Sequence, residues 1–257
     1  MPVNAPGSRL VLVAHGSRDP RAERSTLALA QAVRRRAGAP VEAAFLDFST
    51  PRLVDALAGS AVPAVVVPLL LTKAYHGRVD VPTEVERARV AAPGVELRLA
   101  EVLGPVAGPV PDRAALDAVV AGLVRRLREA DALTAEGIVL AAAGSRDLST
   151  LDSVGWVAEA LGDALGVPCR AGYASGTGPG TGAAVAALAR RGAHRIAVAS
   201  YFLAPGLLFD RAVEQALAAG AACAAAPLGD APEVVDLVLA RAVAAPRATE
   251  SEPLIAA

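Results

Sequence analysis

The stretch LVLVAHGSRD, residues 10–19, decides how the rest of the chain is read. An apolar run leads directly into His15, and Gly16, Ser17, Arg18 and Asp19 follow. A short, continuous run of Leu and Val over 9–14 fits a strand covered on both faces, the habit of a parallel sheet. Asp19-Pro20 then signals a helix start: the carboxylate can take an early amide, and proline sits where no amide is needed. Helical spacing of Leu27, Ala30 and Val33 carries the expected helix over 21–37, and Gly38 ends it. Strand, short turn and helix make the opening of a βαβ unit.

The pattern continues outward. Strands are expected at 41–48, 62–71 and 95–99, with helices at 50–58, 80–92 and 112–130. It then restarts, with strands at 137–142, 168–174, 195–203 and, weakly, 221–225, and helices at 151–165, 182–191, 207–219 and 232–244. Alternation of this kind implies parallel sheets with helices on both faces. The expected fold is therefore α/β, with two tandem, duplicated flavodoxin/Rossmann-like domains. The N-terminal domain covers 1–131, a C-terminal copy covers 132–245, and 246–257 form a disordered tail. Residues 1–8 read as a flexible lead.

The halves are copies of one another. AHGSRD at 14–19 matches AAGSRD at 142–147, and FLD at 45–47 matches YAS at 173–175, both with a shift of 128. VVPLLL at 66–71 matches VASYFL at 198–203 with a shift of 132. What differs is more informative. Ala143 stands in the place of His15, Ser175 in the place of Asp47, and the second half has no histidine where the first has TKAYHGRVD. The loop-shaping residues are kept and the chemical ones are missing, so the chain supplies its own control.

Composition narrows the functional classes. The 257 residues carry a formal net charge of −1, which leaves no basic field to recruit nucleic acid. The longest apolar runs, 61–71 and 217–226, fall short of the roughly 18–20 residues of a membrane span. No targeting segment opens the chain, and Cys169 and Cys223 make neither a disulfide framework nor a zinc spacing. A soluble cytoplasmic protein is expected. Lys73 is the one lysine among 25 basic residues.

Ligands of open parallel sheets bind beyond the carboxyl ends of the strands. His15 ends strand one, Asp47 ends strand two, and His76 follows strand three. Two neutral imidazoles and a carboxylate suit Fe²⁺, Co²⁺ or Ni²⁺ and leave open positions on the ion, as a catalytic site does. His194 precedes a strand, at the wrong end of the sheet, and is expected to be structural. Two other readings fail. AHGSR lacks the arginine that a phosphohistidine phosphatase signature sets against its phosphate. SGTGPGTG at 175–182 follows a strand and opens a helix, an anion-site context, but has neither the Gly-Lys-Ser/Thr ending of a P-loop nor the dinucleotide spacing. Its backbone amides are expected to meet a substrate carboxylate.

Taken together, AHGSRD, FLDF-STP and VVVPLLLTKAYHGRVDVP resemble the sirohydrochlorin chelatases of the class II chelatase family. The resemblance covers both halves, the second as a decayed copy. It implies a chelatase-like fold and ATP-independent insertion of Fe²⁺ or Co²⁺, in some members Ni²⁺, into sirohydrochlorin, in sirohaem or cobalamin biosynthesis. The family's two histidines fall on His15 and His76. Its glutamate falls on Asp47, one methylene shorter with the charge kept. No cofactor beyond the substrate ion is implied. The tetrapyrrole is expected in a cleft between the domains, with its carboxylates met by Arg18, Arg52, Lys73 and Arg78. A histidine and Asp47 are the candidate acceptors of the pyrrole protons. Some family members are short chains that dimerise; here both halves are fused, so a monomer with one active site is expected. The alternatives are a metal carrier that inserts nothing, or a chelatase for another tetrapyrrole.

Overall fold

The computed structural model describes residues 8–58, 60–73, 80–91, 93–106 and 112–246. The expected lead before Ser8 and the tail after Pro246 lie outside these residues, as do His76 and Arg78.

The first copy runs β1 (Arg9–Ala14), α1 (Pro20–Ala37), β2 (Val41–Phe45), α2 (Leu53–Ala58), β3 (Ala64–Pro68), α3 (Val81–Ala91), β4 (Leu97–Leu99) and α4 (Arg113–Glu129). The second runs β5 (Gly137–Ala142), α5 (Leu148–Leu165), β6 (Cys169–Tyr173), α6 (Thr181–Ala189), β7 (Ile196–Ser200), α7 (Leu207–Ala218), β8 (Cys223–Ala224) and α8 (Pro232–Ala244). Each copy forms a four-stranded parallel sheet, ordered β2-β1-β3-β4 and β6-β5-β7-β8. The α/β fold with helices on both faces is the one expected.

The apolar runs explain the layering. Alternate residues of a strand point to opposite faces. Val11 and Val13 pack in one cluster with Leu53 and Leu57 of α2 and Val85 of α3. Leu10 and Leu12, on the other face, are equally buried, and α1 turns Leu29, Ala30 and Val33 inward. In the second sheet Val139, Ala141 and Val198 meet α6 and α7 through Val185, Leu188 and Ala212. Both faces are covered, which is why these strands read as unbroken apolar runs.

Several strands are shorter than their apolar stretches. β2 ends at Phe45 rather than 48, because residues 46–52 form a closed loop in which the Phe45 N–H donates to Pro51 O at 3.0 Å. α2 accordingly begins at Leu53 rather than 50. β3 ends at Pro68, yet the Leu69 N–H donates to Val13 O at 2.8 Å, so the buried path continues along β1 after the regular ladder stops. α5 begins at Leu148, three residues early, because Asp147 caps it by accepting from the Ser149 N–H at 3.0 Å.

The expected division at 131/132 separates copies of the sequence; packing divides the chain elsewhere. Among the described residues, one compact unit runs to Leu103 and resumes at Val235, and the other spans Gly104 to Val234. α4, last helix of the first copy, belongs to the second unit. There Arg125 forks onto Glu233 at 2.7–2.9 Å, and Gly122 lets Leu228 approach so closely that a Cβ would lie 2.9 Å from its side chain. Most of α8 belongs to the first unit, where Asp236 pairs with Arg36 at 3.0 Å and Arg98 donates to Ala245 O. Cys169 and Cys223 are free thiols. Among the described residues no helix is long and apolar enough to cross a membrane.

Candidate metal centre

The carboxyl ends of β1, β2 and β3 lie side by side, with Ala14 opposite Phe45 and Val13 opposite Pro68. β1 and β3 are adjacent at the point where strand order reverses, the usual place for a ligand in such sheets. His15 is the first residue past β1. Asp47 is the second past β2. The β1–β2 pairing continues beyond the strands: the Leu46 N–H donates to Ala14 O at 3.0 Å and the Asp47 N–H to His15 O at 2.8 Å. Gly16 fixes this contact. Its φ is +91°, and a Cβ there would lie 1.8 Å from Asp47 O, so only glycine allows the two loops to close. Ser17 Oγ accepts the Asp19 N–H at 3.0 Å, and the Asp19 carboxylate caps α1 by accepting from the Arg21 N–H at 2.9 Å. The retained residues Gly16, Ser17 and Asp19 thus shape the turn that carries His15.

The second copy repeats this scaffold bond for bond. The Ser175 N–H donates to Ala143 O at 3.1 Å, a Cβ on Gly144 would lie 1.9 Å from Ser175 O, and Ser145 Oγ accepts the Asp147 N–H at 3.0 Å. Ser175 Oγ turns back to donate to Ala143 O at 2.8 Å. The backbone therefore equates His15 with Ala143 and Asp47 with Ser175, as the repeat alignment does.

His15 is half-buried, with Nδ1 shut off from solvent. The Asp47 carboxylate accepts from the Phe48 N–H at 2.9 Å and pairs with Arg52 at 3.3 Å. It caps neither the expected helix at residue 50 nor α2. The described structure sets the backbones of His15 and Asp47 side by side and pairs the Asp47 carboxylate with Arg52. Among the described residues no three His, Cys, Asp or Glu side chains cluster closely enough to hold an ion. The donor set fits a divalent ion only with a further ligand, a role in which His76 stands as a sequence expectation.

The expected substrate cations are placed differently from one another. Arg52 is engaged with Asp47, and Lys73 Nζ lies 2.7 Å from Glu101. The Arg18 guanidinium lies over the Phe48 ring, 5.2 Å from its centroid. The 175–182 loop spends its glycines on close packing: a Cβ on Gly176 would lie 2.6 Å from Ser145 O, and one on Gly178 2.2 Å from the Tyr173 ring. Its Thr177 N–H reaches Ser145 O at 3.4 Å. His194 is exposed at the amino end of β7, and its N–H donates to Glu136 at 2.6 Å, a bond that holds the Glu136 carboxyl below its ordinary pKa.

Phe48, which carries no expectation from the sequence, also lies beside His15. Its ring stands edge-on to His15 with centroids 6.2 Å apart, and it is 52 % exposed with φ +60°. The signal was available in the repeat, where Gly176 occupies its position.

Comparison with known proteins agrees with this architecture. The CbiX family model matches residues 9–108 and 137–245. SirB from Bacillus subtilis, solved with Fe³⁺, superposes with a TM-score of 0.75 at 22 % identity, covering 93 % of this chain and 96 % of SirB. DR2241 from Deinococcus radiodurans, a multi-domain protein with structural similarity to chelatases, gives 0.68 at 23 % identity over 96 % of this chain and 56 % of its own. CbiX, described as the terminal enzyme for siroheme biosynthesis in denitrifying bacteria, gives 0.58 at 20 % identity over 91 % and 97 %. No curated protein sequence matches significantly. The family match spans both copies and so most of the chain, and the protein belongs to the CbiX family of class II chelatases, enzymes that insert a metal ion into a tetrapyrrole.

Proposed function

We propose that this chelatase inserts Fe²⁺ or Co²⁺ into sirohydrochlorin without ATP, in sirohaem or cobalamin biosynthesis, and that the N-terminal copy alone carries the chemistry. The observation that carries the assignment is the contrast between two loop scaffolds closed by the same backbone bonds. One holds His15 and Asp47 at adjacent strand ends, and the other holds Ala143 and Ser175. SirB, whose fold this chain shares, has been solved with Fe³⁺ and with cobalt.

In this reading His15, His76 and Asp47 hold the waiting ion and leave positions open for the incoming ring nitrogens. Two pyrrole N–H protons must leave as the ion enters. Ligands released by the ion become free bases at that moment: imidazole titrates near neutrality, and a carboxylate accepts transiently. The protein brings ion and ring to reacting distance, which lowers the entropic part of the barrier. Arg52 competes with the ion for Asp47 in the resting state and is freed toward a substrate carboxylate once the ion binds.

The test mixes purified protein with sirohydrochlorin and Co²⁺ or Fe²⁺ under anaerobic conditions and follows the absorbance change of metallation. A rate above the spontaneous one is expected. Intact metal binding with no acceleration would overturn the proposal.

A further inference from the structure

The residue after Asp47 has left-handed backbone in both copies, with φ +60° at Phe48 and +86° at Gly176. Glycine adopts this conformation freely; a bulky side chain does so at a cost. The turn itself therefore calls for the residue found in the second copy, and the Phe48 ring is not there for the backbone. It is not there for the core either, since it is 52 % exposed while Phe45 is 1 % exposed. A strained, solvent-facing aromatic ring beside a functional histidine is the sort of feature that a ligand explains.

Its neighbours define that ligand. The ring meets the His15 imidazole edge-on, at 76° and 6.2 Å, and the Arg18 guanidinium covers it at 5.2 Å. An aromatic surface, a cation and an imidazole are thus contiguous. They match a flat conjugated ring with peripheral carboxylates whose centre accepts a metal ion. We infer that Phe48 is a substrate-binding residue: its ring contacts the macrocycle and holds Arg18 in place for one of the carboxylates. The inference rests on the proposed function for the identity of the macrocycle.

The test is Phe48→Gly, which installs the second copy's residue and relieves the strained φ, so folding is preserved. Metal-free sirohydrochlorin binding, followed by its absorbance shift, should weaken about tenfold, the order expected when an aromatic contact and its buried area are lost. KM for sirohydrochlorin should rise by a similar factor with kcat within about twofold, and Phe48→Trp should restore it. Affinity for Co²⁺ alone should stay within about twofold. Unchanged sirohydrochlorin affinity would overturn the inference, as would a loss confined to Co²⁺ affinity, which would make Phe48 only a buttress for His15. A wild-type protein that binds the tetrapyrrole but inserts nothing would remove the proposed function while leaving the binding comparison decisive for Phe48.

Discussion

Gly16→Ala is the perturbation that probes the proposed metal centre through its scaffold. At φ +91° the new Cβ would lie 1.8 Å from Asp47 O and 2.9 Å from the carbonyl carbon. Real Cβ contacts stay beyond 3.0 Å, so the His15 and Asp47 loops must separate by about 1.2 Å. The left-handed φ costs a non-glycine residue about 1–2 kcal/mol. Losing the hydrogen bond from the Asp47 N–H to His15 O adds about 1 kcal/mol. The sum, about 2–3 kcal/mol, corresponds to a fall in Tm of about 4–12 °C for a chain of this size. Metal–ligand distances tolerate only about 0.2 Å, so the same displacement should cost Co²⁺ affinity at least about tenfold. Gly144→Ala is the matched control, with φ +90° and a Cβ 1.9 Å from Ser175 O. It should lower Tm as much and leave Co²⁺ binding alone. Calorimetry and Co²⁺ titration of both variants decide the matter. A destabilised Gly16→Ala protein that binds Co²⁺ like wild type would refute the argument that this backbone contact builds the site.

Arg52→Ala should change stability little, because an exposed pair such as Arg52–Asp47 is worth roughly 0.2–1 kcal/mol. It should raise Co²⁺ affinity up to about fivefold by removing a competitor for Asp47, as read by titration at low and high salt. Ala143→His should add no second ion in metal stoichiometry, because Ser175 supplies no carboxylate beside it. Glu136 contributes stability that is present above the ordinary glutamate value of 4.5 and is lost as pH falls through it toward the lower folded-state value, because its carboxylate accepts the His194 N–H. Glu136→Gln should flatten that acid-side fall in a Tm-against-pH series and leave insertion at neutral pH unchanged.

Much of the fold was legible because burial on both faces writes strands as continuous apolar runs, and because Asp19 and Gly38 mark the ends of α1 chemically. The strand ends were not legible. Leu69 is as apolar as the strand before it, since the path beyond β3 stays buried against β1. The largely apolar stretch 41–48 hides Phe48, whose left-handed φ places it in a loop. His15 and Asp47 could be singled out from the repeat because the copies keep the scaffold and drop the donors. The partners of Arg52 and Lys73 could not: any surface cation can be drawn toward substrate, and only the fold sets Lys73 beside Glu101. The allocation of α4 and α8 to units other than their own copies was equally hidden, since it depends on contacts such as Arg125–Glu233 far apart in sequence.

If His15 in the first copy handles the ion that is inserted, its loss must end insertion without unfolding the protein. The direct measurement is the anaerobic rate of Co²⁺ insertion into sirohydrochlorin by wild type and His15→Ala, each checked by its Tm. His15→Ala should melt with the wild type and fall to the spontaneous rate. An equal rate in the two proteins would remove His15 from the chemistry.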